Sequence, residues 1–283
     1  KWQAYKHDPK SLLLFIAVCL AAVITLLALA FVIIYILVMG IPYLTPDLFA
    51  WEYNTNNVSL MPALINTLYM TALALLFAVP VGIFSAVYLN EYAKRGNKLV
   101  GAVRITTETL SGIPSIVYGL FGSLFFVKFV GFGLSLLSGA LTLSIMILPL
   151  IMRSTEEALL AVPDSYREGS FGLGAGKLRT VFRIVLPTAV PGILSGVILG
   201  IGRIVGESAA LIFTAGTVAE AATSIFSSTR TLSVHMYTIS TEGLYVNQAY
   251  ATAVVLLIVV IIINGLSSLV AKKLGGSKNN GEN

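Results

Sequence analysis

From Ser11 to Gly40 the chain carries no charged side chain. That run constrains the fold more than any other feature. A spanning helix needs about 20 apolar residues to cross roughly 30 Å of hydrocarbon. Inside lipid, backbone N–H and C=O groups must find partners within the chain, which leaves helices and closed barrels. The run is too long for a signal-peptide core and no small-residue cleavage site follows it, so it reads as a retained membrane helix. Its excess length implies tilt or a protruding end.

Five more apolar runs follow, at 60–90, 99–127, 133–152, 187–213 and 244–271. The third is interrupted near Gly112 and Pro114. The runs are continuous and lack the alternation of a barrel. The chain is 57% hydrophobic and 11% charged, against about 25% charged in soluble domains. The prediction is an all-α polytopic membrane protein with about six transmembrane helices. Residues 1–10 form an N-terminal segment, 11–273 the membrane domain, and 274–283 a polar, glycine-rich tail expected to be flexible.

Basic residues set the orientation, because Lys and Arg collect on the cytoplasmic side of spanning helices. Fifteen of the 18 fall on one side of a six-span chain. They are Lys1, Lys6 and Lys10; Lys94, Arg95, Lys98 and Arg104; Arg153, Arg167, Lys177, Arg179 and Arg183; Lys272, Lys273 and Lys278. Lys128 and Arg230 fall on the other, and Arg203 lies within a span. Both termini are therefore expected in the cytoplasm of a bacterial or archaeal cell, with the chain in its plasma membrane. Topology accounts for the basic balance, so nucleic acid is not implied.

Few groups point to catalysis or metal binding. Cys19 is the sole cysteine, which excludes an internal disulfide or a cysteine metal cluster. His7 and His235 lack ligand-like neighbours. No nucleophile with a base is visible. Gly174-Ala175-Gly176-Lys177 invites a phosphate-loop reading, but Phe171 and Leu178 occupy positions that the motif reserves for Gly and for Ser or Thr. The chain is expected to bind no nucleotide, cofactor or metal.

The most informative polar stretch is EEALLAVPDSYREGSFGLGAGKLRTVFRIVLPTAVP, from Glu156 to Pro191. Pro163 stops the incoming helix, and Asp164 or Ser165 can cap a new one. Three glycines, at 172, 174 and 176, mark a break before a second short amphipathic helix. One reading is a helix lying on lipid headgroups. The other is a docking platform for a cytoplasmic partner. The second is favoured because the segment resembles the EAA loop of ABC-importer permeases: Glu-Ala-Ala, three residues, Gly, nine residues, Ile, one residue, Leu-Pro. Here stand Glu168, Gly169 and Ser170, then Gly174, Ile184, Leu186 and Pro187, at matching spacing. The departures are Gly169 and Ser170 in place of alanines. Gly169 weakens its helix by about 1 kcal/mol. The resemblance implies a type I ABC-importer permease fold, a coupling loop at 156–186 seated in a cleft of an ATPase subunit, and Gly174 at the turn between its helices. ATP and Mg would reside on that subunit.

Further stretches resemble permeases of phosphate importers: Leu89-Asn-Glu-Tyr-Ala93, ETLSGIPSIVYGLFG from Glu108, STEEALLAVPDSYRE from Ser154 and GRIVGESAALIFTA from Gly202. LIFTA and the short N-terminus are similar to the PstA type rather than the sister PstC type. The partners so implied are a PstC-like permease, two PstB-like ATPases and a PstS-like extracytoplasmic binding protein, with phosphate as cargo. A permease for sulfate or molybdate is the alternative cargo reading.

Arg203 and Glu207 stand four residues apart inside the fifth run, hence on one helix face. A charge at depth costs about 2.5–3.5 kcal/mol on insertion scales and marks a pathway or a pair. Counted from Pro187 at 1.5 Å per residue, Arg203 lies about 24 Å along its span, in the outer half of the membrane. Ser111 and Ser115 flank Pro114 at the break in the third run. These four are the candidate substrate-path residues, with a mutual Arg203–Glu207 pair and a simple proline kink as the plainer readings. A channel would show rings of acids or a carbonyl filter. A secondary transporter would show two similar halves. Neither feature is present.

Overall fold

The computed structural model describes residues 9–94 and 96–276. The described residues form helices and connecting segments only. The end of the tail and residues 1–8, His7 included, lie outside them.

Five helical stretches are long and apolar enough to cross a membrane: Lys10–Tyr43, Met61–Tyr92, Leu136–Leu160, Lys177–Val205 and Val246–Leu269. A sixth crossing exists if Val100–Ser111 and Ser115–Phe129 count as one, and this pair is bent by 106°. The first stretch contains α1 (Pro9–Gly40), whose side chains are exposed along almost its whole length. Its C-terminal part leans on α11 (Val246–Gly276), where the Tyr35 and Tyr250 rings meet edge-on at 5.8 Å.

The second stretch is α2 (Met61–Val87), prolonged by a wider π turn over Tyr88–Tyr92. Then come α3 (Lys98–Ser111) and α4 (Ser115–Gly122), the latter extended by a π turn over Ser123–Phe129. The interruption in the third run is thus a sharp corner, and neither half reaches across alone. Pro114 has no N–H to donate and drives the residue before it out of the helical region. The chain closes α3 with Gly112 N–H to Thr109 O at 3.2 Å and Ile113 N–H to Leu110 O at 3.1 Å. The Tyr118 hydroxyl reaches back over the corner to the Leu110 carbonyl at 2.7 Å.

The central helix is α5 (Leu136–Leu160), begun by Ser135, whose hydroxyl accepts from Ser138 N–H at 3.2 Å. It outruns the apolar run by two turns, through Arg153, Glu156 and Glu157. Met70, Ala74 and Ala78 of α2 pack against its Leu143, Met146, Ile147 and Ile151 in the main core. On its other side lies α8 (Leu186–Val205), reached through two short helices, α6 (Asp164–Gly172) and α7 (Lys177–Thr180), and a π turn at Val181–Val185. Pro187 does not begin this span. The helix runs unbroken from Lys177, and the wider turn sits where Pro187 withdraws the N–H that would bond to Arg183.

The α5–α8 contact is close because α8 presents glycine every fourth residue. Gly192 sits against Ala158, Gly196 against Ser154, and Gly200 against Ile147. A Cβ at Gly192 would lie 2.6 Å from that of Ala158. Small residues at this period let helix backbones approach in lipid. α8 stops at Gly206, and the last part of the expected fifth span is a separate short helix, α9 (Ala209–Thr214). An irregular segment leads to α10 (Leu232–Thr241). Buried Asn66 of α2 ties that segment down, donating to the carbonyls of Glu220 and Arg230 at 2.9 and 3.2 Å.

Candidate functional site

Two regions carry the functional side chains. The first is the α6–α7 pair at one end of the bundle. Pro163 ends the chain from α5 and occupies the N-cap of α6. Asp164 is therefore already helical and does not cap; its carboxylate accepts from Arg167 Nη1 at 3.2 Å. Gly174 has φ +81°, the left-handed conformation that glycine adopts without strain. Ala175 N–H bonds to Ser170 O at 3.1 Å and Gly174 N–H to Phe171 O at 2.9 Å, a Schellman ending. Buried Ser170 joins the two helices through its hydroxyl, 2.8 Å from that of Thr180. Glu168 and Gly169 face outward, and Glu168 makes no ion pair among the described residues.

The outward surface is also apolar. Leu173 at the tip is 91% exposed, Leu178 is 65% exposed, and Phe171 and Phe182 are exposed beside them. An exposed apolar cluster of this kind, rimmed by charge, suits contact with a protein or with the membrane surface. Behind it, Val181, Val185, Ala189 and Ile193 pack on Val87, Leu159 and Val162, with Leu186 at the margin. Ile184 is half-buried and Pro187 exposed.

Sequence reasoning missed what fastens this pair to the bundle. Arg167 Nη2 lies 2.8 Å from Glu91 Oε1 and donates to the Leu159 carbonyl at 3.0 Å. Its Nη1 donates to the Val162 carbonyl at 2.9 Å. Next to it, the Lys177 ammonium stands over the Tyr92 ring, 5.2 Å from its centroid. Both contacts end on the π turn that closes α2. The NEY run was on view in the sequence, but nothing local links it to a residue 76 positions on.

The second region is a cavity of about 550 Å³ between the end of α2, α3, α5 and α8. Ser111 and Arg203 both line it, together with Arg104, Glu108, Arg153, Glu156 and Glu157. Arg104 pairs with Glu156, and Arg153 with Glu157 at 3.0 Å. Gly200 rests on Ile147, so Arg203, one turn further, lies beyond the midpoint of α5. Helical side chains lean towards the helix N-terminus, which carries the guanidinium back to the cavity wall at Pro149 and Leu150.

Two expected path residues stand elsewhere. Ser115, half-buried at the start of α4, is not in the cavity lining. Glu207 is buried and does not pair with Arg203. The helix that would have aligned them ends at Gly206, and Glu207 Oε1 instead accepts from Ala210 N–H at 3.0 Å, capping α9. Arg203 is left without an ion pair among the described residues.

At the opposite end of α5, His235 is fully buried with its ring edge-on to Tyr53, 6.1 Å between centroids. The Arg230 guanidinium lies over the other part of that cluster, 4.7 Å from the Tyr53 centroid. Burial first, and the Arg230 charge second, hold the His235 pKa down to about 3, with a Val58 backbone group acting weakly the other way.

Residues 78–276 match the family described as the inner membrane component of binding-protein-dependent transport systems. The probable ABC transporter permease protein YqgI of Bacillus subtilis is 33% identical over 267 residues, covering 85% of this chain and 89% of that protein. The phosphate transport system permease protein PstA 1 of Mycobacterium tuberculosis is 42% identical over 154 residues, 54% of this chain and 50% of its own length. PstA 2 of Mycobacterium bovis is 36% identical over 198 residues, 70% of this chain and 64% of its own. The chain thus spans about half to two thirds of these phosphate-system relatives. Among solved structures, a bacterial alginate ABC transporter aligns over 96% of this chain and 98% of that chain, with a TM-score of 0.70 at 16% identity. A chain of the MetNI methionine transporter aligns over 74% and 93%, with a TM-score of 0.58 at 22% identity. Those two likenesses bear on the fold. The family match over most of the chain decides its membership: it belongs to the binding-protein-dependent transport permeases, as a non-catalytic membrane subunit of an ABC importer.

Proposed function

We propose that the chain is the PstA-type permease of an inorganic phosphate importer and forms half of its translocation path. The observation that carries the cargo assignment is Arg203, a guanidinium without an ion pair among the described residues, on a cavity between the end of α2, α3, α5 and α8. A planar guanidinium matches an oxyanion better than an ammonium does. The names of the mycobacterial relatives support the same reading. The partners are a PstC-like permease, two PstB-like ATPases that hold ATP and Mg, and a PstS-like binding protein. The exposed Leu173–Leu178 surface with Glu168 docks on an ATPase, and both termini lie in the cytoplasm with it. Ser115 and Glu207 lie outside the cavity lining, Ser115 at the corner of the broken span and Glu207 at the start of α9.

The test is reconstitution with these partners in liposomes. Phosphate delivered by the binding protein should raise ATP hydrolysis and be taken up, and Arg203→Gln should lower uptake while the subunits still co-purify. Uptake of sulfate or molybdate in preference to phosphate would reject the cargo assignment and leave the permease assignment standing.

A further inference from the structure

The arginines of the cavity differ in what already occupies them. Arg203, at the deep wall, has no carboxylate partner among the described residues. Arg104 and Arg153, nearer the coupling end, are each engaged by one glutamate. Both retain open donors: Glu157 is held only through Arg153 Nε, and Arg104 is half exposed. Glu108 lines the same cavity and its charge is felt at Arg153.

A second cavity of about 560 Å³ adjoins the first and shares Leu89, Leu160 and Arg104 with it. It continues to the α2–α3 corner, where Lys94 and Lys98 form part of its wall. Arg203, Arg153, Arg104, Lys98 and Lys94 thus mark one route from the middle of the bundle to the end that bears the coupling helices.

We propose that Arg104 and Arg153 form a release station for the transported oxyanion, distinct from Arg203, in which Glu156 and Glu157 compete with the cargo. This rests on the oxyanion-import reading above. An anion at Arg203 displaces no carboxylate. An anion at Arg104 or Arg153 must share or displace one, so it is held more weakly there. The returning carboxylate then pushes it towards Lys98 and Lys94. Charge-assisted pairs of this kind are the strong hydrogen bonds of proteins, so the exchange is well matched in kind: oxyanion for carboxylate on the same donors.

The experiment compares the complete transporter in liposomes, parental and substituted, by initial phosphate uptake. Arg104→Gln and Arg153→Gln should each lower uptake about tenfold, the effect of losing one charged hydrogen bond. Glu156→Gln removes the competitor from Arg104, so phosphate should be held longer, with kcat and KM falling together. If Arg104 only staples α3 to α5, the double variant Arg104→Gln with Glu156→Gln should transport normally, and that result overturns the station. Arg153→Gln keeps the test decisive should Arg104→Gln fail to assemble, because its pair lies within one helix; undiminished uptake by it is equally fatal. A parental transporter that takes up neither phosphate nor sulfate nor molybdate overturns the oxyanion-import reading, and the station with it.

Discussion

Arg167 on α6 and Glu91 at the end of α2 stand 2.8 Å apart, with side chains only 15% and 8% exposed. The pair ties the α6–α7 end of the chain to the first helix of the main core. Truncating Arg167 strands the Glu91 charge largely out of water, a loss of about 3 kcal/mol, while truncating Glu91 leaves Arg167 its Asp164 partner and costs less. Arg167→Ala and Glu91→Ala should each lower the thermal stability of the detergent-purified chain and uncouple ATP hydrolysis from uptake. The exchanged variant, Glu91→Arg with Arg167→Glu, should regain part of the stability. An exchanged protein no better than the worse single variant would show that the carbonyl contacts at Leu159 and Val162 matter instead.

Gly174 offers a clean test of the coupling turn. No atom lies within 4 Å of where its Cβ would be, so crowding plays no part. Its cost on substitution comes from φ +81° alone, about 1–2 kcal/mol for a residue with a side chain. Gly174→Val should weaken co-purification of the ATPase, while Gly174→Asn, which tolerates this conformation, should retain most of it. Equal loss in both would point to the partner requiring a bare backbone there. Glu168→Lys, on the adjacent exposed face, should abolish uptake with the turn intact.

His235 makes stability depend on pH. Its folded pKa of about 3 lies below its ordinary value of 6.5, so the unfolded chain takes up the proton first. The native state is fully stable above pH 6.5 and loses stability as pH falls towards 3. The slope is about 1.4 kcal/mol per unit, or about 2 kcal/mol between pH 6.5 and pH 5. Thermal unfolding of the purified chain at both pH values, compared with His235→Gln, reads this directly. The variant should show the shallower dependence; identical slopes would assign the acid sensitivity to other groups.

Orientation is open to labelling. In a chain with Cys19 replaced, single cysteines at Asn56 or Ser228 should react with an impermeant thiol reagent outside sealed cells, and one at Lys177 should not. Labelling of Lys177→Cys from outside would invert the topology.

Apolar runs and punctuation made most of the bundle legible. Charge-free stretches announce lipid, and Gly112 with Pro114 announces a break, though not a corner of 106°. The coupling turn was readable because glycine spacing reports backbone conformation. Hydropathy was silent about the end of α5, since it marks lipid and not helix, and Arg153–Leu160 forms helix well enough with its ion pairs. The Arg203–Glu207 pairing failed for a local reason: i, i+4 geometry holds only inside a helix, and Gly206 ends this one. Arg167 and Glu91 meet through the fold alone. Gly192, Gly196 and Gly200, by contrast, had a visible period of four whose packing meaning was overlooked.

The unbroken helix Lys177–Val205 carries a mechanical consequence. Twenty-six residues separate Lys177 from Arg203, about 39 Å at 1.5 Å per residue. The exposed surface at Leu178 and the Arg203 guanidinium stand towards opposite ends of one rod. Its irregularities are the wide turn at Val181–Val185 and Pro191 inside α8. Where Gly192 and Gly196 meet α5 the two helices approach closely, and Ala189 and Ile193 pack in one cluster with Leu159 beside them. A rotation imposed at Leu178 would also change the angle of Arg203, because one continuous helix carries both.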